Sequence, residues 1–149
     1  MPVDYRGCEL PEDLYYDLDY VWVRPTEDGL YTIGITDPAQ TMAGRVQYIS
    51  FKRPGSHRPA GKSVVRLESG KWAGGVPAPF DGVVERINEA VAAKPDLVNT
   101  TPYTDAWLVV MRPDDPGRAL ERLHNGPEAL EALRQWVDRY DVQCMRCAD

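Results

Sequence analysis

The sequence has few of the residues that carry acid–base, nucleophilic or metal chemistry. Its 149 residues include only two histidines and three cysteines. It contains no Gly-rich phosphate loop, no G-x-S-x-G turn and no H-E-x-x-H motif. Because no constellation for catalysis is available, we interpret the chain as a protein that is not an enzyme by itself.

Long apolar runs and a leader-like N-terminus are also missing. No stretch approaches the roughly 18 apolar residues that a membrane-spanning helix needs. The first five residues, Met1 to Tyr5, have neither the basic nor the apolar region of a signal peptide. These absences predict a cytoplasmic protein with no membrane insertion. The net charge of −6 argues against nucleic-acid binding as the main role.

The charges are distributed unevenly along the chain. Residues 45–71 carry seven positive side chains and one negative side chain, whereas the segments on both sides are acidic. This basic segment is either an ordinary solvated surface or a docking patch for an acidic partner or an anionic cargo.

Proline and glycine, 13 and 12 residues respectively, favour many short strands joined by turns. The length predicts one domain over residues 1–149. Asp28-Gly29 and Asp81-Gly82 each follow a strand-like run and predict hairpins. Helices are predicted at 11–16, at 37–44 with Asp37 as N-cap, and at 87–93, 116–123 and 127–140. The pattern predicts a mainly β protein, a sandwich or small barrel, with peripheral and C-terminal helices.

Two of the three cysteines lie close together near the C-terminus. Cys144 and Cys147 form a C-x-x-C pair, which can be redox-active when one thiol has a lowered pKa. The pair follows a predicted helix, however, whereas redox motifs usually open one. An incidental or regulatory tail, a functional disulfide or persulfide, and a zinc site all remain open for Cys8, Cys144 and Cys147.

One lysine lies on a predicted turn between two strand-like segments. Ser69, Gly70 and Lys71 follow the run Ser63 to Glu68, and we expect Gly70 to take the positive φ that many tight turns require. A lysine at a hairpin tip is ordinarily only solvated, so this position alone indicates no function.

Several motifs around this lysine resemble the lipoyl carrier family typified by the H protein of the glycine cleavage system. The similarity keeps its order and spacing from about Tyr16 to Gln135. The matching stretches are Val21-Trp22-Val23, Thr32 to Asp37 with Ala39-Gln40, Gly44, Ala60-Gly61, Val65 with Glu68-Ser69 and Lys71, Ala78-Pro79 with Gly82, Asn88-Glu89-Ala90, Pro95 to Asn99 with Pro102-Tyr103, and Trp107.

The resemblance implies a barrel-sandwich hybrid fold with a core of about residues 16–137 and extensions at both ends. It implies lipoate attached covalently to Lys71, in a turn formed by Glu68, Ser69, Gly70 and Trp72. The lipoyl-lysine would be a swinging arm that a lipoate-protein ligase or lipoyl synthesis enzymes install and that other enzymes then load. The protein would hold this reactive group for its partners and do no chemistry alone.

The turn departs from the family pattern. The family's E-S-V-K-A is here Glu68-Ser69-Gly70-Lys71-Trp72, and a segment that is commonly acidic and apolar is here the basic loop Lys52 to Arg58. Trp72 either covers the arm or only packs on the hairpin. These departures resemble the lipoate-binding proteins of heterodisulfide-reductase-like sulfur oxidation.

Three hypotheses follow. The first is a lipoylated carrier of sulfur-bound intermediates, with the heterodisulfide-reductase-like complex and dihydrolipoamide dehydrogenase as partners. The second is a glycine cleavage H protein that shuttles an aminomethyl group among the glycine-cleavage enzymes. The third is an unmodified H-like interaction module, which would tolerate the replacement of Lys71 by Arg.

Overall fold

The computed structural model describes residues 3–17 and 20–145, which form strands, three α-helices and two short 3₁₀ helices. The strands are β1 (Val3–Tyr5), β2 (Cys8–Leu10), β3 (Tyr15–Tyr16), β4 (Val21–Pro25), β5 (Tyr31–Ile35), β6 (Val46–Phe51), β7 (His57–Arg58), β8 (Ser63–Ser69), β9 (Ala73–Pro77), β10 (Gly82–Ile87) and β11 (Val109–Pro113). The helices are α1 (Asp37–Ala43), α2 (Glu89–Ala93) and α3 (Gly126–Arg139), with 3₁₀ turns at Pro95–Asn99 and Pro116–Arg118.

The strands form two main sheets and a small hairpin. The larger sheet has the order β3-β4-β5-β11-β10-β7, and the smaller sheet has the order β6-β8-β9. Strands β1 and β2 pair only with each other among the described strands. All the recorded strand pairs are antiparallel. The predicted mainly β fold with peripheral and C-terminal helices is confirmed.

The main core lies between the two sheets. Val23 and Ile33 from the larger sheet and Val65 and Leu67 from the smaller one are at most 1% exposed. The smaller sheet exposes its outer face to solvent, so apolar and polar residues alternate along β8. The alternation fixes the register of β8 against its neighbours β6 and β9. In that register Glu68 pairs with Ala73, and residues 69–72 form the tip of the β8–β9 hairpin.

The two predicted Asp-Gly hairpins have different outcomes. Asp28-Gly29 lies between the paired strands β4 and β5, and Gly29 has a φ of +80°, so this prediction is confirmed. Asp81-Gly82 does not close a hairpin. Strand β9 belongs to the smaller sheet and β10 to the larger one, so the chain crosses between the sheets here. A dipeptide reports only local turn preference, whereas the partner of each strand depends on the core.

The predicted helices need several corrections. Residues 11–16 form a turn followed by β3, which pairs with β4. The N-cap of α1 is Thr36, whose Oγ1 accepts the Ala39 N–H at 3.3 Å, and not Asp37. Helix α2 begins only at Glu89 because residues 82–87 are a strand. Residues 116–118 form a single 3₁₀ turn in place of the predicted helix 116–123, while α3 confirms the helix predicted at 127–140 within one residue of each end.

A second core lies beneath α3 and connects the two ends of the chain. Leu130, Leu133 and Val137 of α3 pack there with Leu10 and Trp22. Cys8 and Cys144 form a disulfide in this cluster and are at most 9% exposed. Of the alternatives left open for the cysteines, the structure therefore has a disulfide, and it joins Cys144 to Cys8. Cys147 lies outside the described residues.

No helix among the described residues is long and apolar enough to cross a membrane.

We expect the Cys8–Cys144 disulfide to contribute strongly to stability because it joins residues 136 positions apart. The double variant Cys8→Ser, Cys144→Ser should lose about 2–5 kcal/mol of unfolding free energy, measured by urea denaturation. Cys147→Ser is the control and should leave the midpoint unchanged. Thiol titration of the denatured, unreduced wild type should find at most one free thiol, and three free thiols would contradict the assignment.

Candidate functional site: the lysine hairpin

The side chain of Ser69 organises the turn that carries Lys71. The last residue pair between β8 and β9 is Glu68 with Ala73. Beyond it, the Ser69 N–H donates to the carbonyl of Trp72 at 2.7 Å. The Ser69 hydroxyl oxygen accepts the N–H groups of Lys71 and Trp72 at 3.3 and 3.1 Å. The same hydroxyl donates to the carbonyl of Ala43 at 2.5 Å. One serine therefore closes the turn and ties it to the end of α1.

Gly70 does not use the conformation that we expected. It is absent from the glycines with positive φ, and a Cβ placed on it would meet nothing within 4 Å. Since the Ser69 hydroxyl satisfies the turn's amides, a left-handed residue is not needed at position 70. The difference between Gly70 and the family's valine therefore leaves the backbone of the turn intact.

Lys71 is exposed, and its aliphatic stem runs over Gly44. A Cβ on Gly44 would lie 2.8 Å from Lys71 Cε, and Gly44 has a φ of +78°. The positive φ favours glycine here, and a larger residue would also displace the flexible end of the Lys71 side chain. Among the described residues, no carboxylate lies within ion-pair distance of the Lys71 amine, so the amine is accessible to an external group.

Trp72 packs on the hairpin and also borders an apolar groove. The indole ring covers Gly74, because a Cβ on Gly74 would lie 2.4 Å from the ring. Trp72 is 37% exposed. Beside it lies a groove of about 160 Å³ next to the lysine turn. The groove is lined by Tyr20, Ile35, Ala39, Met42, Ala43, Leu67, Trp72 and Trp136. Both expectations for Trp72 are compatible with this placement, because the ring packs on the hairpin and faces the groove.

Glu68 lies on the outer face of β8, one position before the turn residues. It pairs across the sheet with Tyr48 and Ala73, and its carboxylate is 3.9 Å from Arg66 Nε. It is exposed and has no recorded contact with Lys71. It therefore lies on the surface beside the lysine turn.

Buried amides under α1 support the turn from below. Asn99 Nδ2 donates to the carbonyl of Gly44 at 2.8 Å and to Gln40 Oε1 at 3.0 Å, and Asn99 Oδ1 accepts the N–H of Val46 at 2.8 Å. Gln40 Nε2 in turn donates to Asp37 Oδ1 at 2.8 Å. Asp37, Gln40 and Asn99 are all fully buried. The resemblance included these residues, but the sequence contained no signal that they would meet.

The other candidate groups lie away from the turn. His57 contacts Asp114 at 2.6 Å and His124 contacts Glu128 at 3.0 Å, both on the surface. Across residues 3–17 and 20–145, no group of three or more His, Cys, Asp or Glu side chains could hold a metal ion. The Cys8–Cys144 disulfide lies in the second core, and Cys147, the other residue of the candidate redox pair, lies outside the described residues.

A two-sheet β fold that presents an exposed lysine on a tight hairpin defines the class of lipoyl-type carrier domains. The profile of the family described as "Glycine cleavage H-protein" matches residues 14–136, and the chain belongs to that family. Members of this family carry lipoate on a lysine and act as carriers.

Individual relatives agree with the family match. The chain is 45% identical over 142 residues to "Glycine cleavage system H protein 2" of Aquifex aeolicus, covering 95% of this chain and 88% of the relative. It is 40% identical over 143 residues to "Probable glycine cleavage system H protein 2" of Sulfurisphaera tokodaii, covering 94% and 96%.

A solved structure supports the fold. The crystal structure of a glycine cleavage system H protein from Mycobacterium marinum superposes with a TM-score of 0.71 at 25% identity, covering 89% of this chain and all of that one. The predicted barrel-sandwich hybrid is confirmed.

We expect Ser69→Ala to loosen the lysine turn, because two amides lose their acceptor and the Ala43 carbonyl loses its donor. The variant should lose about 1–3 kcal/mol of unfolding free energy, and the amides of Lys71 and Trp72 should exchange hydrogen faster. Gly70→Ala is the matched control, since its Cβ has free space and φ is not positive. Equal destabilisation of the two variants would contradict the role of the hydroxyl.

Proposed function

We propose that this protein is a lipoyl carrier whose lipoate is attached to Lys71. The observation that carries the proposal is the exposed amine at a hairpin tip whose backbone is held by Ser69. A ligase has to reach the ε-amine, and an exposed tip gives it access. Members of the family carry lipoate on a lysine. The motif resemblance of Glu68-Ser69-Gly70-Lys71 to the family's lysine turn supports Lys71 as that lysine.

The surroundings of Lys71 fit this group. A lipoyl arm is long and ends in an apolar dithiolane, which supplies a disulfide that can be reduced to two thiols. Attachment as an amide removes the charge of the lysine, and no described carboxylate would lose a partner. The apolar groove beside Trp72 offers nearby hydrophobic surface for the end of the arm. Gly44 leaves the space over which the lysine stem runs.

The first test is the intact mass of protein purified from its native host. We expect the mass of one lipoyl group, located on Lys71 by peptide sequencing. Lys71→Arg should lose the modification and keep the stability of the wild type, because the side chain is exposed. The neighbouring cation Arg45→Gln is the control and should stay modified. An unmodified Lys71 would overturn the carrier proposal and leave an unmodified H-like interaction module.

We further propose that the carrier serves the glycine cleavage system. This assignment rests on the names of the relatives, which match over nearly the full length of the chain. Its partners would then be the glycine-cleavage enzymes together with a lipoate-protein ligase or lipoyl synthesis enzymes, and the protein would work in the cytoplasm.

Particular residues favour a second candidate, a lipoate-binding carrier in heterodisulfide-reductase-like sulfur oxidation. Trp72 places a large ring where the family has alanine, directly beside the arm and its groove. The basic segment 45–71 would suit an anionic sulfur cargo or an acidic docking face. In that pathway the partners would be the heterodisulfide-reductase-like complex and dihydrolipoamide dehydrogenase.

Reconstitution distinguishes the two candidates. Lipoylated protein is mixed with the other glycine-cleavage enzymes, and release of CO₂ from carboxyl-labelled glycine is measured. A glycine cleavage carrier should support turnover as an established H protein does, and its Lys71→Arg variant should support none. No turnover, while dihydrolipoamide dehydrogenase still reduces the arm with NADH, would reject glycine cleavage and favour the sulfur carrier.

A further inference from the structure

A groove lined by three cations lies at the end of the smaller sheet opposite the lysine turn. It has a volume of about 360 Å³ and lies between β7 and the strands β6 and β8. Its charged lining residues are Lys52, Arg58 and Arg66, and none of the described residues that line it is acidic. Ser50 and Ser63 contribute hydroxyl groups to the same surface.

The strands position these cations on one surface. Ser50 on β6 lies directly opposite Arg66 on β8. Lys52 follows β6, and its N–H donates to the carbonyl of Val64 at 2.9 Å. Arg58 Nε donates to the carbonyl of Ser63 at 2.9 Å, which fixes the guanidinium and leaves its terminal nitrogens free to bind an anion.

The groove brings together several cations that have few close counter-charges. Elsewhere, described arginines such as Arg112, Arg118 and Arg134 each contact a carboxylate within about 3 Å. No described carboxylate lies within 4 Å of Lys52 or Arg58, and Arg66 has only Glu68 at 3.9 Å. Arg53 and Lys62 nearby are also exposed, and neither forms an ion pair with a described carboxylate. The positive charge here is therefore not compensated within the described chain.

We propose that this groove is a docking site for an acidic segment of a partner protein, with Lys52, Arg58 and Arg66 binding its carboxylates. Arginine binds a carboxylate through two parallel N–H bonds, and lysine adds a point charge. An overall charge of −6 would repel an acidic partner, so a local positive surface determines where that partner can approach.

An acidic protein segment fits the groove better than a single small anion. Lys52 and Arg66 are exposed, and single exposed ion pairs contribute little because water and salt screen them. Several linked carboxylates that bind together gain from multivalency, which a free anion does not. The cations also continue beyond the groove to Arg53 and Lys62, which suits an extended acidic surface.

The groove is close enough to Lys71 to serve a partner that uses the arm, and this part of the inference rests on the proposed carrier function. Strand β8 runs from Ser63 at the groove to Ser69 at the turn, a span of roughly 20 Å. A standard interface of about 800 Å² per partner is roughly 30 Å across. One partner can therefore cover the groove and still contact the lysine turn.

Binding of a fluorescein-labelled hexaglutamate peptide, followed by fluorescence anisotropy, tests the site. We expect the full-length protein to bind the peptide at about 20 mM salt and more weakly at about 150 mM, where the Debye length is about 8 Å. The triple variant Lys52→Gln, Arg58→Gln, Arg66→Gln should bind about tenfold more weakly or worse.

The matched control replaces three exposed cations elsewhere with the same loss of net charge, namely Lys94→Gln, Arg122→Gln and Arg139→Gln. It should keep most of the peptide affinity. Equal losses in both triple variants, or no peptide binding by the wild type, would overturn the proposal. Circular dichroism verifies that each variant is folded.

Two competitors distinguish other anions. Sodium sulfate and sodium chloride are compared at equal ionic strength. If both displace the peptide equally, the result supports a protein segment as the occupant. If sulfate displaces it saturably at low concentration, the groove is a small-anion site instead. A single-stranded DNA oligonucleotide of equal charge that binds more tightly than the peptide would assign nucleic acid and overturn the proposal.

Amide shift mapping locates the peptide without any variant. In ¹⁵N-labelled wild type, the shifts should concentrate at residues 50–52, 57–58 and 63–66. Shifts confined to other surfaces would overturn the assignment. Peptide binding does not require lipoate, so it can be absent when Lys71 is modified and present when Lys71 is bare. The docking proposal and the carrier proposal are therefore tested separately.

Discussion

The hydrogen bonds of the buried Asn99 side chain are the constraint on which the lysine site depends. Its amide donates to the carbonyl of Gly44 and to the side chain of Gln40, so the end of α1 has one position relative to β6. Each of these groups is removed from water and would be unfavourable without its partner, which makes the arrangement specific. The Ala43 carbonyl at this helix end then accepts the Ser69 hydroxyl, and the lysine turn is held in place.

The same helix also connects the lysine turn to both ends of the chain. Asp37 Oδ2 accepts the N–H of Glu9 in β2 at 2.8 Å, and Gln40 Nε2 donates to the carbonyl of Met145 at 2.8 Å. The Cys8–Cys144 disulfide joins these two terminal segments. Trp136 of α3 lines the groove beside the turn, so the C-terminal helix forms part of the wall of the groove.

The charge distribution is consistent with a protein that works through its partners. Few residues carry acid–base chemistry, and the hairpin presents an exposed amine next to Trp72, which lines an apolar groove. The cationic groove lies at the Ser63 end of β8, and the lysine turn lies at the other end of that strand. The length of β8 thus sets the distance between the cationic groove, which would bind a partner, and Lys71, which would carry the reactive group.

The sequence by itself determined the mainly β class, the Asp28-Gly29 hairpin, the C-terminal helix and, through its motifs, the family and the lysine turn. These features depend on local turn chemistry and apolar periodicity. Only the tertiary structure decided that Asp81-Gly82 crosses between sheets, that Thr36 caps α1 and that Cys144 pairs with Cys8. It also decided that Ser69, not a left-handed Gly70, shapes the turn. Some of these outcomes depend on contacts between residues far apart in the chain, and others depend on competition among local hydrogen-bonding groups. The spacing of residues in the sequence predicts neither.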